Sequence, residues 1–88
     1  MKYMVIEHFR DNDARPVYAR FRLQGRLAPT GLKYVASWVT LDLTTCYQVM
    51  EGERVDLDVW MRNWDDLVEF EVVEVMESQK ASEAVSNG

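Results

Sequence analysis

The only histidine of the chain, His8, follows a glutamate, Glu7, inside the apolar stretch YMVIEHF. A carboxylate or an imidazole placed in a cavity can act as a general base or can anchor a ligand. Consecutive residues of a β-strand point to opposite faces of the sheet, however, so the two side chains cannot work as a pair if this stretch is a strand. Glu7 then shares its face with Tyr3, Val5 and Phe9, and we treat Glu7 and His8 as separate candidates.

Glu7 is the candidate catalytic residue, because a carboxyl group buried on a central strand needs hydrogen-bond partners or takes up a proton. One interpretation makes it a general base or a ligand anchor between the sheet and the helices. The other makes it structural, through an ion pair with an arginine of the first helix or a hydrogen bond to Gln48 or Tyr47. His8 comes at the end of its strand, where its polar tip either reaches solvent or contacts a ligand.

The other candidates for ligand contact are one thiol, one amide and three indoles. Cys46 would be nucleophilic only if a neighbouring base lowered the pKa of its thiol, and no cysteine–histidine spacing supports that, so a small buried apolar residue is the expected role. The tryptophans could line an aromatic pocket or fill the core. The predicted ligand-binding residues are Glu7, His8, Trp38, Cys46, Gln48, Trp60 and Trp64.

Composition argues against several classes of function. One histidine and one cysteine cannot complete a zinc site, no EF-hand spacing is present, and the four glycines are isolated, so we predict no metal and no cofactor. A formal net charge of −5 argues against nucleic acid or an anionic membrane as partner. The chain has no apolar run of about 18 residues, and its short N-terminal apolar stretch, interrupted by Glu7, is not typical of a signal peptide. We predict a cytoplasmic location.

Periodicity indicates the elements that must position these residues. We expect strands at 2–9, 32–41, 46–51 and 67–76, a helix at about 13–25, and a second helix along the stripe of Leu57, Trp60, Met61 and Trp64. The alternation slips by one residue at Val72–Val73, which predicts a β-bulge or a strand whose second face becomes buried. Residues 1–77 form one predicted domain, and 78–88 form a polar tail that is either frayed or a short helix.

The order β-α-β-β-α-β with right-handed crossovers predicts an α+β, ferredoxin-like fold, a four-stranded antiparallel sheet with two helices on one face. The other face is rich in apolar side chains, and leaving it in water would expose a patch larger than monomers usually show. We therefore expect a homodimer whose sheets pack together. RNA-recognition domains share this order of elements, but they need a basic, aromatic third strand, and TTCYQVMEG contains no lysine or arginine.

The stretches MVIEHF, VYARFRLQGRLAPTGLKYVASWV, CYQVME and WMRNWDDLVEFEVVEV resemble a family of small bacterial proteins described as a domain of unknown function. That family is similar to the dimeric α+β barrel superfamily, which includes small monooxygenases, lactone isomerases and stress-response barrels. The resemblance covers residues 1–77. It implies the fold and a dimer, but it implies no reaction, so it assigns no catalytic residue.

Taken together, these patterns predict a homodimeric α+β barrel protein that binds a small apolar or aromatic molecule between its sheet and helices. Any catalysis would be cofactor-independent oxygenation or isomerisation with Glu7 as base. The alternative is a structural or regulatory dimer, or an accessory subunit, without catalytic activity.

Overall fold

The computed structural model describes residues 1–87, which form one four-stranded antiparallel sheet and three α-helices. The strands are β1 (Lys2–Phe9), β2 (Lys33–Val39), β3 (Thr45–Glu51) and β4 (Val68–Val75), and the helices are α1 (Arg15–Gln24), α2 (Arg54–Arg62) and α3 (Ser78–Asn87). The strand order is β2-β3-β1-β4, so β1 and β3 are central. This arrangement confirms the predicted ferredoxin-like α+β fold, with α3 added after the last strand.

The two faces of the sheet differ in what covers them. We name the face beneath α1 and α2 the inner face and the opposite one the outer face. β1 alternates strictly between them: Tyr3, Val5, Glu7 and Phe9 are buried on the inner face, and the residues between them are half-buried on the outer face. The inner face carries the core, whose fully buried side chains are Val5, Met50, Leu57, Trp60 and Val68.

Local sequence explains where the helices begin and end. Asp13 accepts a hydrogen bond from the backbone N–H of Arg15, and Pro16 follows in the first turn of α1, where its missing N–H leaves no bond unmade. Gly25 ends α1 with a φ of 73°, a left-handed conformation that glycine adopts without steric cost. In α2, Leu57 and Trp60 lie on the buried face, as their spacing predicts.

The predicted β-bulge at Val72–Val73 was wrong. β4 pairs with β1 in unbroken register from Val68 to Val75, and Val73 lies on the outer face, half exposed. The alternation of polar and apolar residues slips because the outer face of β4 carries glutamates in its first half and valines in its second half. The apolar residues therefore change face, while the backbone stays regular. The irregularity in the sheet lies in β2 instead, between Tyr34 and Ala36.

The segment after β4 adopts the second of the two predicted alternatives, a short helix, α3. Nζ of Lys2 on β1 lies 3.2 Å from Oε1 of Glu77, which ties the start of this segment to the first strand. Gly88, the last residue of the predicted tail, lies outside the described residues.

Candidate functional site

A cavity of about 240 Å³ lies between the inner face and the two helices that cover it. Five aromatic side chains form most of its wall: Phe9, Tyr18, Phe21, Trp60 and Trp64. Its polar lining comes from the sheet and from the connection between α1 and β2: Glu7, Arg26, Ser37, Cys46 and Gln48. Tyr18 and Phe21 are exposed, so they mark the side on which the cavity meets solvent.

A line of three hydrogen-bonded side chains crosses the polar part of the cavity. Nε2 of Gln48 donates to Oε2 of Glu7 at 2.8 Å, and a guanidinium N–H of Arg26 donates to Oε1 of Gln48 at 2.5 Å. Glu7 and Gln48 are only 6% and 4% exposed. The Gln48 amide therefore connects the buried carboxyl group of Glu7 to the guanidinium of Arg26, with which Glu7 makes no direct bond.

The environment of Glu7 brings its titration close to neutral pH. Burial raises the pKa of Glu7 from its ordinary 4.5 to about 7, because the charged form loses its hydration. Hydrogen bonding by Cys46, the positive charge of Arg26 and the bond from Gln48 all act in the opposite direction, in that order of size. Near pH 7 the cavity thus contains a group that both accepts and donates protons.

Cys46 lies beside Glu7 on the same inner face, and it is buried. Burial, together with the neighbouring carboxyl group, raises the pKa of the Cys46 thiol to about 12. Since the thiolate is the nucleophilic form, Cys46 is inert near neutral pH and serves as a small, weakly polar part of the wall.

The backbone around Arg26 is fixed by contacts with the second helix and the residues that follow it. The carbonyl oxygen of Arg26 accepts hydrogen bonds from both buried indoles, at 3.1 Å from Nε1 of Trp60 and 2.8 Å from Nε1 of Trp64. Leu27 has a φ of 61°, unusual for a leucine, and its carbonyl oxygen accepts a bond from Nδ2 of Asn63 at 3.0 Å. A conformation of this kind persists where surrounding contacts hold it in place, so the direction in which Arg26 points is built into the fold.

The Arg26 side chain rests on aromatic rings. Its guanidinium carbon lies 3.7 Å from the ring centroid of Tyr34 and 5.2 Å from that of Phe21. Within residues 1–87 no carboxylate lies at ion-pair distance from it, and its side chain donates one hydrogen bond, to Gln48. A guanidinium has five N–H donors, so Arg26 brings a positive charge with unused donors to the cavity.

The structure brings five of the seven predicted site residues together. Glu7, Cys46, Gln48, Trp60 and Trp64 all line the cavity. The other two do not reach it, because they project from the outer face of the sheet.

The two predicted site residues that lie outside the cavity are His8 and Trp38. Nε2 of His8 is hydrogen-bonded to Oε1 of Glu71 on the neighbouring strand. Trp38 pairs with Tyr47 across the β2–β3 ladder and is 59% exposed. Regular alternation along β2 would put Tyr34 and Trp38 on one face, but the irregularity between Tyr34 and Ala36 leaves Tyr34 on the inner face and Trp38 on the outer face.

Six lining residues were missed by the sequence analysis: Phe9, Val17, Tyr18, Phe21, Arg26 and Ser37. Val17, Tyr18 and Phe21 are the apolar residues of α1 that line the cavity, and apolar spacing along a helix does not indicate a gap beside it. Arg26 carried a readable signal, since it directly follows the helix-ending Gly25, where the chain changes direction and the helical pattern no longer predicts orientation. Ser37 faces inward because of the β2 irregularity, for which no local pattern exists.

In the part of the chain that the structure describes, no three histidine, cysteine, aspartate or glutamate side chains are grouped so that they could hold a metal ion. None of the helices in residues 1–87 is both long enough and apolar enough to cross a membrane.

Comparison with known proteins identifies the family. The model of the family described as "Domain of unknown function (DUF3303)" matches residues 1–88, and the chain belongs to this family. The match includes the C-terminal segment, which the resemblance seen in the sequence had left out. No curated protein and no solved structure matches the chain.

Proposed function

We propose that this member of the DUF3303 family binds a small apolar or aromatic molecule in the cavity between the sheet and the helices. The make-up of the cavity carries the proposal: five aromatic side chains surround it, and buried Glu7 and Gln48 contribute to its polar part. Sites for small molecules typically combine an apolar lining with a few placed polar groups.

The volume of the cavity limits the size of the ligand. About 240 Å³ is below the roughly 300 Å³ at which ordinary ligand pockets begin, and it equals about eight water molecules at roughly 30 Å³ each. Atoms within a ring pack more closely than separate waters. A single ring with one small substituent therefore fits within this cavity.

Core packing alone does not account for the aromatic residues on α1. Tyr18 and Phe21 line the cavity and remain exposed, so part of their apolar surface has no protein partner. A bound ring would cover that surface, and burial of apolar area is favourable at about 25 cal/mol per Å².

Glu7 is the residue through which cofactor-independent chemistry would proceed in this cavity. General acid–base catalysis is most effective when the pKa of the group lies near the working pH, and Glu7 meets that condition with a pKa of about 7. Cys46 does not meet that condition, because its thiol stays protonated. His8 lies on the outer face and does not reach the cavity.

We further propose that the protein is a homodimer that pairs its outer faces. Trp38, Tyr47 and Val73 are 59%, 41% and 50% exposed there, next to half-buried Met4 and Ile6. Four strands about 4.8 Å apart and about 26 Å long make a face of about 500 Å². Two such faces together bury about 1,000 Å², the lower end for a specific interface. A second copy suits this face because its apolar centre meets an identical centre without opposing like charges.

We expect the protein to act in the cytoplasm. Cys46 is the single cysteine and its thiol is free, so the chain makes no internal disulfide of the kind that secreted small domains use.

The test of ligand binding is a titration with single-ring compounds, observed as amide shift changes in nitrogen-15 NMR spectra. We expect shifts grouped around the cavity, on the inner side of β1 and β3 and on α1. The variant Val17→Phe adds a ring to the cavity wall and should lose these shifts. Val55→Phe, the same change at an exposed position of α2, should keep them.

If no single-ring compound shifts the cavity amides of the unmodified protein, the ligand proposal is wrong. The alternative, a structural or regulatory dimer or accessory subunit without catalytic activity, would then account for the apolar outer face without needing the cavity to be filled.

A further inference from the structure

We propose that the ligand is a small aromatic carboxylate, held between Arg26 and a protonated Glu7, and that its binding is coupled to proton uptake. The inference rests on the proposed function of the same cavity and specifies the charge class of the ligand. Three features of the cavity lead to it: an arginine without a carboxylate partner, a buried carboxyl group, and the amide that joins the two.

Arg26 provides the attraction for an anion. Within the described residues its guanidinium has no acidic partner, and it is stacked on Tyr34 rather than extended into solvent. Arginine binds carboxylates through two parallel N–H bonds, and such charged bonds are roughly twice as strong as neutral ones. The stacked side chain loses little freedom when a ligand binds, because its position is already set.

The Gln48 amide shows which group fits between Arg26 and Glu7. Its planar O–C–N unit accepts from Arg26 at one end and donates to Glu7 at the other, over bonds of 2.5 and 2.8 Å. A carboxylate has the same planar three-atom shape, but both of its ends accept hydrogen bonds. A ligand carboxylate lying alongside the amide thus requires a donor on Glu7, and Glu7 is a donor only when protonated.

The charge of the cavity supports this coupling. Arg26 and an ionised Glu7 together carry no net charge, whereas Arg26 and a neutral Glu7 carry one positive charge. An anion in the cavity repels an ionised Glu7 and favours its protonated form, and linkage requires that protonation favours the anion equally.

The other groups that face Glu7 do not titrate in the same range. Cys46 of β3 and Tyr18 of α1 both have a raised pKa and stay protonated near pH 7, and Arg26 of the α1–β2 connection stays charged. The aromatic rings that β4 and α2 bring to this side carry no charge. A pH dependence of binding near neutrality is therefore assigned to Glu7.

Three ring compounds of nearly equal shape test the proposal: benzoate, neutral benzamide and cationic benzamidine. Isothermal titration calorimetry of the full chain at pH 6 should show benzoate binding about tenfold more tightly than benzamide, the effect of one charge-assisted bond. Above pH 7 the affinity for benzoate should fall about tenfold per pH unit, since one proton must be taken up. Titrations at pH 8 in HEPES and in Tris, which differ in heat of ionisation, measure that uptake directly.

Two variants separate the roles of the charged residues. Arg26→Met should remove the preference for benzoate over benzamide. In Glu7→Gln the side-chain amide replaces the protonated carboxyl as donor, so benzoate should still bind, with an affinity that no longer changes between pH 6 and pH 8. The comparison of the three compounds on the unmodified protein decides the issue even if a variant does not fold.

The outcomes distinguish the two proposals. Equal binding of benzoate and benzamide without proton uptake, or tightest binding of benzamidine, would overturn the anion inference and leave the aromatic cavity as a binding site. Binding of none of the three compounds would overturn both.

Discussion

Oε2 of Glu7 accepts a hydrogen bond of 2.8 Å from Nε2 of Gln48, a glutamine as buried as the glutamate itself. The bond joins the two central strands on the inner face of the sheet, where Val5 and Met50 are otherwise fully buried. Buried polar groups in proteins are normally paired, and this pair meets the requirement while leaving the carboxyl group free to change its charge. Both the stability of the protein and its response to pH should depend on this bond.

Glu7 should make the protein less stable as the pH rises from about 4.5 to about 7. Its folded-state pKa is about 7, above its ordinary 4.5, so between these values the folded protein keeps a proton that the unfolded chain has lost. Stability falls with pH wherever the folded state holds more protons, by about 1.4 kcal/mol per unit, or about 3 kcal/mol over the whole window. Below about pH 4.5 and above about pH 7 Glu7 contributes no further change.

Urea unfolding of the wild type and of Glu7→Gln, measured in parallel from pH 5 to pH 8, checks this. The difference between the two curves isolates Glu7, since all other groups are shared. The Glu7→Gln variant should lose little stability over this range while the wild type loses most of the roughly 3 kcal/mol expected from linkage. Parallel curves would show that Glu7 titrates normally.

Gln48→Leu should destabilise the protein by about 1–3 kcal/mol, because Glu7 is left without its amide donor in a buried place. The loss should be larger at pH 8 than at pH 5, since the ionised carboxylate needs the donor more than the neutral acid does. Gln24→Leu, the same change at an exposed position of α1, should alter stability by less than about 0.5 kcal/mol. Thermal unfolding measures the loss of stability of each of the two variants at pH 5 and at pH 8. An equal loss at both pH values would mean that Gln48 supports the core by packing alone.

Arg20 should matter more for stability than Arg15, at the start of the same helix. It makes two bonds to Asp66, at 2.8 and 2.7 Å, and a third to the backbone carbonyl of Asn63, which joins α1 to the segment after α2. Arg15 pairs with Asp13 two residues away, and its side chain is 90% exposed. Arg20→Met should cost about 1 kcal/mol, since Asp66 is partly solvated, and Arg15→Met should cost less than Arg20→Met does. Chemical denaturation of the two variants at low salt makes the comparison, and equal losses would contradict it.

Trp38→Arg should separate the proposed dimer. An arginine on the outer face of the edge strand β2 would lie against the sheet of the second copy and bury a charge without a partner, which costs several kcal/mol in an interface. Leu23→Arg introduces the same charge at an exposed apolar residue of α1, on the other side of the molecule, and should leave the association unchanged. Sedimentation equilibrium over a range of concentrations gives the association state of each protein. A wild type that sediments as a monomer at all concentrations would rule out the outer-face dimer.

Much of the fold follows from patterns that burial imposes on the sequence. β1 alternates residue by residue because its inner face is packed under helices, and that alternation correctly put Glu7 and His8 on opposite faces of the sheet. The stripe of Leu57 and Trp60 followed in the same way from the period of a helix packed on the sheet. Where one face of an element is buried along its whole length, composition reveals orientation.

The rest could not be inferred because it depends on single backbone events. One irregularity in β2 exchanges the faces of the residues beyond it, so Trp38 left the predicted site and Ser37 joined it. The error in β4 was the opposite one. A backbone irregularity was predicted at Val73, but the backbone stays regular there, and only the face that carries apolar residues changes. Arg26 was missed because its direction is set by Trp60 and Trp64, which are distant in the sequence and act through bonds to its carbonyl oxygen.

The three tryptophans are divided between the two layers of the molecule. Trp60 and Trp64 are almost fully buried beside the cavity, with both indole N–H groups bonded to one carbonyl oxygen, whereas Trp38 lies in water on the outer face. The emission of an indole moves to longer wavelength as its ring becomes solvated, so the blue part of the spectrum originates at the cavity and the red part at the outer face. The chain thus carries two intrinsic optical reporters, by which the filling of the cavity and the meeting of two sheets can be followed separately in one unlabelled sample.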